Sequence, residues 1–253
     1  MRVRATVAYD GGPFHGFAVN LDIRSVAGDL NDALSRIVGT DVVVTCAGRT
    51  DRGVHAVGQV ISFDVPNDTD LDRVRRSVNG LCGPSVAIRD LERTDDDFDA
   101  RFGATGRTYR YRVLNRRDPD PFLASTAWHV TDPLDVSAMQ SAADHLVGEH
   151  DFTSFCKRRK VAPGTVEPTL VRRIESAEWR RPDDEGLLEF VIAGRAFCHQ
   201  MVRSIVGTLV EVGRGLRPAA DLPVVLAAKD RRAAASPAPP RGLVLWSVRY
   251  PDA

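Results

Sequence analysis

A polar loop, Gly48-Arg49-Thr50-Asp51-Arg52-Gly53-Val54-His55-Ala56, separates two apolar, β-branched runs, Val42 to Cys46 and Val57 to Val65. The runs predict strands, because β-branched side chains suit a pleated, half-buried surface. The chain must therefore turn here, and its other elements must complete a sheet around the turn. Gly48 and Gly53 bracket one acid, Asp51. Glycine admits backbone angles that other residues avoid, which lets a loop bend sharply beside a ligand. A lone aspartate between two strands is ordinarily a turn residue. A plain hairpin turn has no need of two arginines flanking the carboxylate with a histidine behind, so the turn-only reading of Asp51 is weaker here.

Val3 to Tyr9 predicts a strand, and Asp10 to Phe17 a turn rich in glycine and opened by an aspartate. Ser25 suits the cap of a helix that turns Val26, Leu30, Ala33, Leu34 and Ile37 to one face. Asp70 begins a second helix with Leu71, Val74, Val78 and Leu81 inward, stopped by Gly80 and Gly83-Pro84. Arg73, Arg75 and Arg76 cover its other sides. Val86 to Leu91 predicts the next strand. The order β-α-β-β-α-β is the split pattern of ferredoxin-like and RNA-recognition folds. That fold hosts many functions and decides no chemistry.

Further on, Arg107 to Val113 alternates strictly, with Tyr109, Tyr111 and Val113 on one face and Arg110 and Arg112 on the other, toward water. A short strand over Trp128 to Val130 precedes an amphipathic helix marked by Val136, Met139, Ala143 and Leu146. His150 beside Asp151 reads either as an acid–base pair or as the structural end of that helix. Lys157 to Pro168 predicts a mobile loop opened by a basic run. Leu170 to Trp179 and Leu187 to Ala193 predict strands. Phe197, Met201, Ile205, Leu209 and Val212 form a helical stripe, Leu222 to Lys229 a short helix, and Leu243 to Tyr250 the last strand. The pattern is α+β, with an N-terminal α/β subdomain over 1–104 carrying the Asp51 loop and a C-terminal α/β subdomain over 105–253.

The 253 residues are 43% hydrophobic, enough for one large core or two small ones. No run approaches the roughly 20 apolar residues that span a bilayer, which excludes a membrane helix. Met1 to Val7 alternates like a strand and lacks the apolar segment of a signal peptide. Cys46, Cys82, Cys156 and Cys198 form no C-x-x-C pair, so they read as reduced thiols in the cytoplasm. Cys198-His199 lacks a second ligand pair at metal spacing, which leaves a buried thiol beside a surface histidine and no metal site. Formal net charge is zero, but the charge is uneven. Asp90 to Asp99 is acidic, Arg101 to Arg117 is rich in arginine, and Lys157-Arg158-Arg159-Lys160 is basic. Each cluster is either a solvated face or a local field for a polyanion.

The loop around Asp51, followed by Gly58-Gln59-Val60, resembles the catalytic motif of the tRNA pseudouridine synthase A family, Gly-Arg-Thr-Asp-Ala-Gly-Val-His-Ala with Gly-Gln-Val after it. Arg52 stands where the family most often has Ala, adding a cation beside the acid. Tyr9, Asp10, Gly11, Phe14 and Gly16 resemble the first family motif, with Phe17 for Trp and Ala18 for Gln. Arg107-Thr108-Tyr109-Arg110-Tyr111 resembles the second, Arg-x-Tyr-x-Tyr. Gly148 to Phe155, Met201-Val202-Arg203 with Val206 to Leu209, and Ala238 to Leu243 resemble three more, with Cys198 for the usual Leu. The resemblance runs from Tyr9 to Pro251, with the motifs in the family's order.

The resemblance implies a pseudouridine synthase fold, two ferredoxin-like halves with mainly antiparallel sheets joined around a central RNA-binding cleft. It implies Asp51 as nucleophile and Arg203 as its ion-pair partner. The latter would keep the acid ionised, because a nearby cation lowers a carboxylate's pKa. Tyr109 would stack on the target base and Leu243 pack on its other side, although a core leucine explains Leu243 equally well. Arg49, Thr50, Gly53 and His55 would contact the substrate, Arg49 either filling the space of the flipped base or binding a phosphate. The implied reaction isomerises uridine to pseudouridine in the anticodon stem-loop of tRNA, in a cytoplasmic homodimer. It needs no cofactor, in keeping with the missing Gly-rich nucleotide loops and metal clusters. Two other readings stand beside it. One is an RNA-binding paralogue or tRNA chaperone without activity. The other is a hydrolase using Asp51, for which the second carboxylate of a glycosidase is lacking.

Overall fold

Strand β1 (Arg2–Tyr9) alternates half-buried and buried side chains along its length, so one face lies on a core. In the computed structural model, which describes residues 1–20, 22–158 and 168–251, it belongs to a first unit made of Met1–Arg107 and Val244–Ala253. Helix α1 (Val26–Val38) follows. Ser25 caps it by accepting from the Gly28 N–H, and Val26, Ala27, Leu30, Ala33 and Leu34 are buried. Then come β2 (Thr45–Cys46), β3 (His55–Asp64), α2 (Leu71–Cys82) and β4 (Val86–Arg93). The predicted β-α-β-β-α-β order is present.

Three details differ from the sequence pattern. Strand β2 is only its last two residues. The Val42 N–H donates to Ser35 Oγ (2.8 Å) and the Val44 N–H to Asn31 Oδ1 (3.0 Å), so side chains of α1 take the groups a ladder would use. Helix α2 passes through Gly80 and ends at Gly83. Leu81 is half exposed and Cys82 is buried in its place.

The second unit, Thr108–Leu243, begins within β5 (Gly106–Asn115). It continues through β6 (Trp128–Val130), α3 (Val136–Asp144), β7 (Gly148–Asp151), β8 (Val171–Arg180), β9 (Leu187–Gly194), α4 (Met201–Gly213) and α5 (Asp221–Ala228). Its strands run in the order β5-β9-β8-β7, with β6 parallel to β5. Met139, Ala142 and Ala143 of α3 and Ile205, Val206 and Leu209 of α4 are buried. Arg159, Lys160 and most of the rest of the basic loop expected over Lys157 to Pro168 lie outside the described residues.

His150 and Asp151 end a strand, not a helix: they pair with Arg172 and Val171 of β8. Each is engaged elsewhere than with the other. His150 Nε2 bonds the Val147 carbonyl (3.1 Å), while Asp151 accepts from Thr153 Oγ1 (2.6 Å) and pairs with Lys229 (3.1 Å). The Thr153 hydroxyl, with its backbone N–H and Lys229, holds the Asp151 carboxyl below the usual range. Phe197 lies ahead of α4, not on its stripe, because Gln200 takes the left-handed φ of 63° and starts the helix afresh.

The last strand, β10 (Leu243–Arg249), returns from Val244 onward to the first unit. It pairs parallel with β3, Val244 opposite His55 and Leu245 opposite Ala56. That pairing carries β3 two residues closer to Asp51 than the apolar run alone predicts. The first unit's strand order is β4-β1-β3-β10, with β2 on β3. Strand β1 is antiparallel to β3 and β4, β2 to β3, β7 to β8, and β8 to β9.

Candidate active site

The loop between β2 and β3 is held from beneath by Gln59 and Tyr9, motif residues to which sequence pattern assigned no role of their own. Gln59, wholly buried on β3, donates from Nε2 to the Gly48 carbonyl (2.6 Å) and to Tyr9 Oη (3.3 Å), and accepts the Gly48 N–H at Oε1 (3.3 Å). Tyr9 Oη lies 2.8 Å from Thr50 Oγ1. Either hydroxyl can be the donor in that pair. The Phe17 N–H donates to the Thr50 carbonyl (3.1 Å) and the Val54 N–H to the Asp51 carbonyl (3.1 Å). Gly53 has φ of 75°, a region costly for side-chain-bearing residues, so the turn just after Asp51 favours glycine.

The glycine-rich first turn lies directly on this loop. A Cβ at Gly11 would overlap the Val54 carbonyl, so the two backbones touch. His55 is buried, with Nδ1 3.1 Å from the Gly11 nitrogen and 3.0 Å from Asp10 Oδ1. One ring nitrogen does not accept from the first and donate to the second at once. The neutral ring with its proton on Nε2 accepts from Gly11; a ring protonated at Nδ1 donates to Asp10. The two motifs that open the chain are thus one mechanical unit.

Packing leaves the loop with a polar outer side. Thr50 and His55 point inward, Asp51 is half-buried, and Arg49 and Arg52 are exposed. Burial pushes the Cys46 thiol at the foot of the loop up to about 11, against the opposing charges of Arg49, Arg101 and Arg107. Arg107 Nη2 donates to the Ala47 carbonyl (2.7 Å), which brings that charge to the loop's base. The field there is positive.

In the second unit, Tyr109 is buried with its ring edge-on to Phe197, centroids 5.1 Å apart. Tyr111 donates its hydroxyl to the Pro239 carbonyl (2.8 Å). Burial raises its pKa, with Arg203 and Arg241 opposing. Arg203 is no plain surface arginine: its Nε donates to the Ala238 carbonyl (2.7 Å), and the Ala238 N–H returns to the Arg203 carbonyl (2.9 Å). Gly207, one turn further along α4, lies so close to Ser236 that a Cβ would overlap the Ser236 carbonyl. Arg241 Nε donates to the Ala127 carbonyl (3.1 Å). The stretch that ends in the buried Leu243 is therefore laced to α4 on one side and to Tyr111 on the other. Arg110 and Arg112 do not simply face water. Both pair with the buried Glu189 of β9, at 3.1 and 3.5 Å.

Of the residues singled out in the sequence, Arg49, Thr50, Asp51 and Gly53 share one loop of the first unit, and His55 opens the strand that follows it. Tyr109, Arg203 and Leu243 lie in the second. Tyr9 and Gln59, read as motif residues, and Phe197, expected on a helical stripe, are supporting residues whose roles pattern alone did not assign. Gln59 had a signal, the one amide in the run from Val57 to Val65.

A family model described as tRNA pseudouridine synthase matches residues 142–251. The chain is 44% identical over 249 residues to tRNA pseudouridine synthase A of Brevibacillus brevis, covering 98% of this chain and 99% of that one. It is 42% identical over 251 residues to tRNA pseudouridine synthase A of Myxococcus xanthus, covering 99% and 92%. Among solved structures it is similar to a Cbf5-Nop10-Gar1 complex, with a TM-score of 0.36 and 12% identity over 82% of this chain and 45% of that one; at that level the likeness adds nothing to the reading of the site.

Proposed function

Because the chain belongs to the tRNA pseudouridine synthase A family, whose members isomerise uridine to pseudouridine in tRNA, we propose that it acts on uridines of the anticodon stem-loop with Asp51 as the nucleophile. The bond from C1′ to N1 breaks, the uracil turns, C1′ joins C5, the C5 proton leaves to solvent and N1 takes one up, so nothing is oxidised and no cofactor is consumed. The target must first leave the stack, since its reacting atoms are enclosed in a helix. Ionised Asp51 then forms a covalent intermediate, splitting one difficult step into two. Arg203 pairs with Asp51 and keeps it ionised. Tyr109 and Leu243 hold the freed ring between them, an arrangement that grips its faces without blocking its edge. Arg49 fills the place of the extruded base or binds a neighbouring phosphate. Gly53 sets the turn, and Thr50 and His55 act through the loop's shape. The working form is a cytoplasmic homodimer.

The observation that carries this reading is the division of the loop. Its inward polar groups are engaged by Tyr9, Gln59 and the first turn, while Asp51 and Arg49 stay at or near the surface. The experiment uses tRNA carrying tritium at uracil C5. Wild-type protein releases tritium from anticodon-arm uridines. Asp51→Asn loses release by several orders of magnitude and keeps tRNA affinity within a few-fold. A variant that still makes pseudouridine removes Asp51 from its role.

A further inference from the structure

Outside the catalytic loop, the first unit presents one aromatic ring almost entirely to solvent on a rigid mount. Phe102 is 79% exposed. It sits on the turn from Asp99 to Gly103, whose shape is fixed by the Asp99 carboxylate. Oδ1 accepts the N–H groups of both Arg101 (2.7 Å) and Phe102 (2.8 Å), and the Asp99 carbonyl accepts from Gly103 (2.9 Å). The turn is anchored through the fully buried Ala100. Its N–H donates to Ser62 Oγ of β3 (3.2 Å), and its carbonyl accepts the Tyr250 hydroxyl (2.6 Å). The hydrogen bonds that fix this turn come from Asp99 and Ala100 and not from the ring, so the ring is presented as an apolar face to whatever docks beside it.

The surroundings specify the partner's chemistry. The Arg101 guanidinium carbon lies over the Phe102 ring, 5.2 Å from its centroid. Arg107 Nη2 reaches both the Arg101 carbonyl (3.3 Å) and the Ala47 carbonyl (2.7 Å), stapling the turn to the base of the Asp51 loop. The charges of Arg49, Arg101 and Arg107 all act on the Cys46 thiol, which marks them as one cluster. A flat ring beside guanidinium groups suits a flat, π-faced group on a polyanion.

We propose that Phe102, with Arg101 beside it, is a stacking platform for an unstacked nucleobase of the RNA substrate other than the target uridine, rigidly mounted at the foot of the catalytic loop. The proposal rests on the tRNA reading above and deepens it. Base–aromatic stacking is sequence-tolerant because every base has a π face, and it holds the strand while phosphates meet nearby cations. The platform is a positioning device, not a catalytic one. It should act on binding and leave the chemical step alone.

The test measures tRNA Kd, KM and kcat for Phe102→Ala, Phe102→Leu and Phe102→Trp. Removing the ring raises Kd and KM by about 5- to 150-fold, the range of one base–aromatic stack, with kcat unchanged. Phe102→Leu keeps an apolar surface without a π face and behaves like Phe102→Ala. Phe102→Trp restores affinity, and its added indole fluorescence is quenched when tRNA binds. That quenching decides alone if the smaller variants fold poorly. Unchanged Kd and KM in Phe102→Ala, full rescue by Leu, or an unquenched Trp overturns the proposal. So does a change of oligomeric state by light scattering with RNA affinity intact, which would make Phe102 a protein interface. Failure of the wild-type protein to release tritium overturns the reaction assigned above instead. RNA binding and quenching still test the platform in that case.

Discussion

Gln59 has both ends of its carboxamide committed to Gly48 and Tyr9, and through Tyr9 to Thr50, the residue before Asp51. Gln59→Leu keeps the volume and removes the bonds, taking from the Gly48 N–H and carbonyl their bonds to the Gln59 amide and from the Tyr9 hydroxyl one of its partners. Losing one side of such a buried set costs about 1–3 kcal/mol. Urea unfolding at neutral pH should report that loss. kcat should fall more than KM rises, because the loop keeps its residues and loses its aim. An unaltered unfolding midpoint would mean that water or another group satisfies Gly48. At this scale much was legible. Asp51, its arginines and its glycines stand together in the sequence, and Ser25 and Asp70 cap their helices as their side chains allow. The inward turn of Thr50 and His55 was not, since it depends on Tyr9 and Asp10, far off in the chain.

At the scale of elements, glycine separates contact from conformation. Gly11 lies against the Val54 carbonyl, where a Cβ has no room, while Gly80 lies in α2 with open space around it. The same substitution should therefore act in opposite directions. Gly11→Ala forces the first turn off the Asp51 loop and destabilises by about 1–3 kcal/mol, as other overpacking does. Gly80→Ala removes conformational freedom from the unfolded chain and stabilises by about 0.5–1 kcal/mol. Thermal unfolding of the two variants beside the wild type checks both signs, and a stabilised Gly11→Ala would undo the account of how the motifs interlock. Apolar periodicity located most elements correctly. It failed where a group from another element intervened. Ser35 and Asn31 take the backbone of Val42 and Val44 from the expected strand, and the left-handed Gln200 cuts Phe197 from its helix. Neither competitor leaves a mark in local hydrophobicity.

Over the whole chain, the α+β order was readable because each helix and strand carries its own period. The parallel return of β10 to β3 was not, since β-strand pattern is silent about partners. Charge has the same character: 34 basic and 34 acidic residues cancel in the total, yet Arg49 and Arg52 on the first unit and Lys157 and Arg158 on the second are all exposed. A polyanion responds to those local groups and not to the sum. If each meets one phosphate, about four counterions' worth of neutralisation gives a slope of about −3 in log affinity against log salt. Raising salt fourfold should then weaken tRNA binding by roughly 60-fold. Arg49→Gln should reduce the slope by about one if that guanidinium binds a phosphate, and leave it nearly unchanged if it fills the space of the extruded base. Filter binding across a salt series thus separates the two roles left open for Arg49. A flat salt response in the wild-type protein would instead deny that these cations carry the RNA.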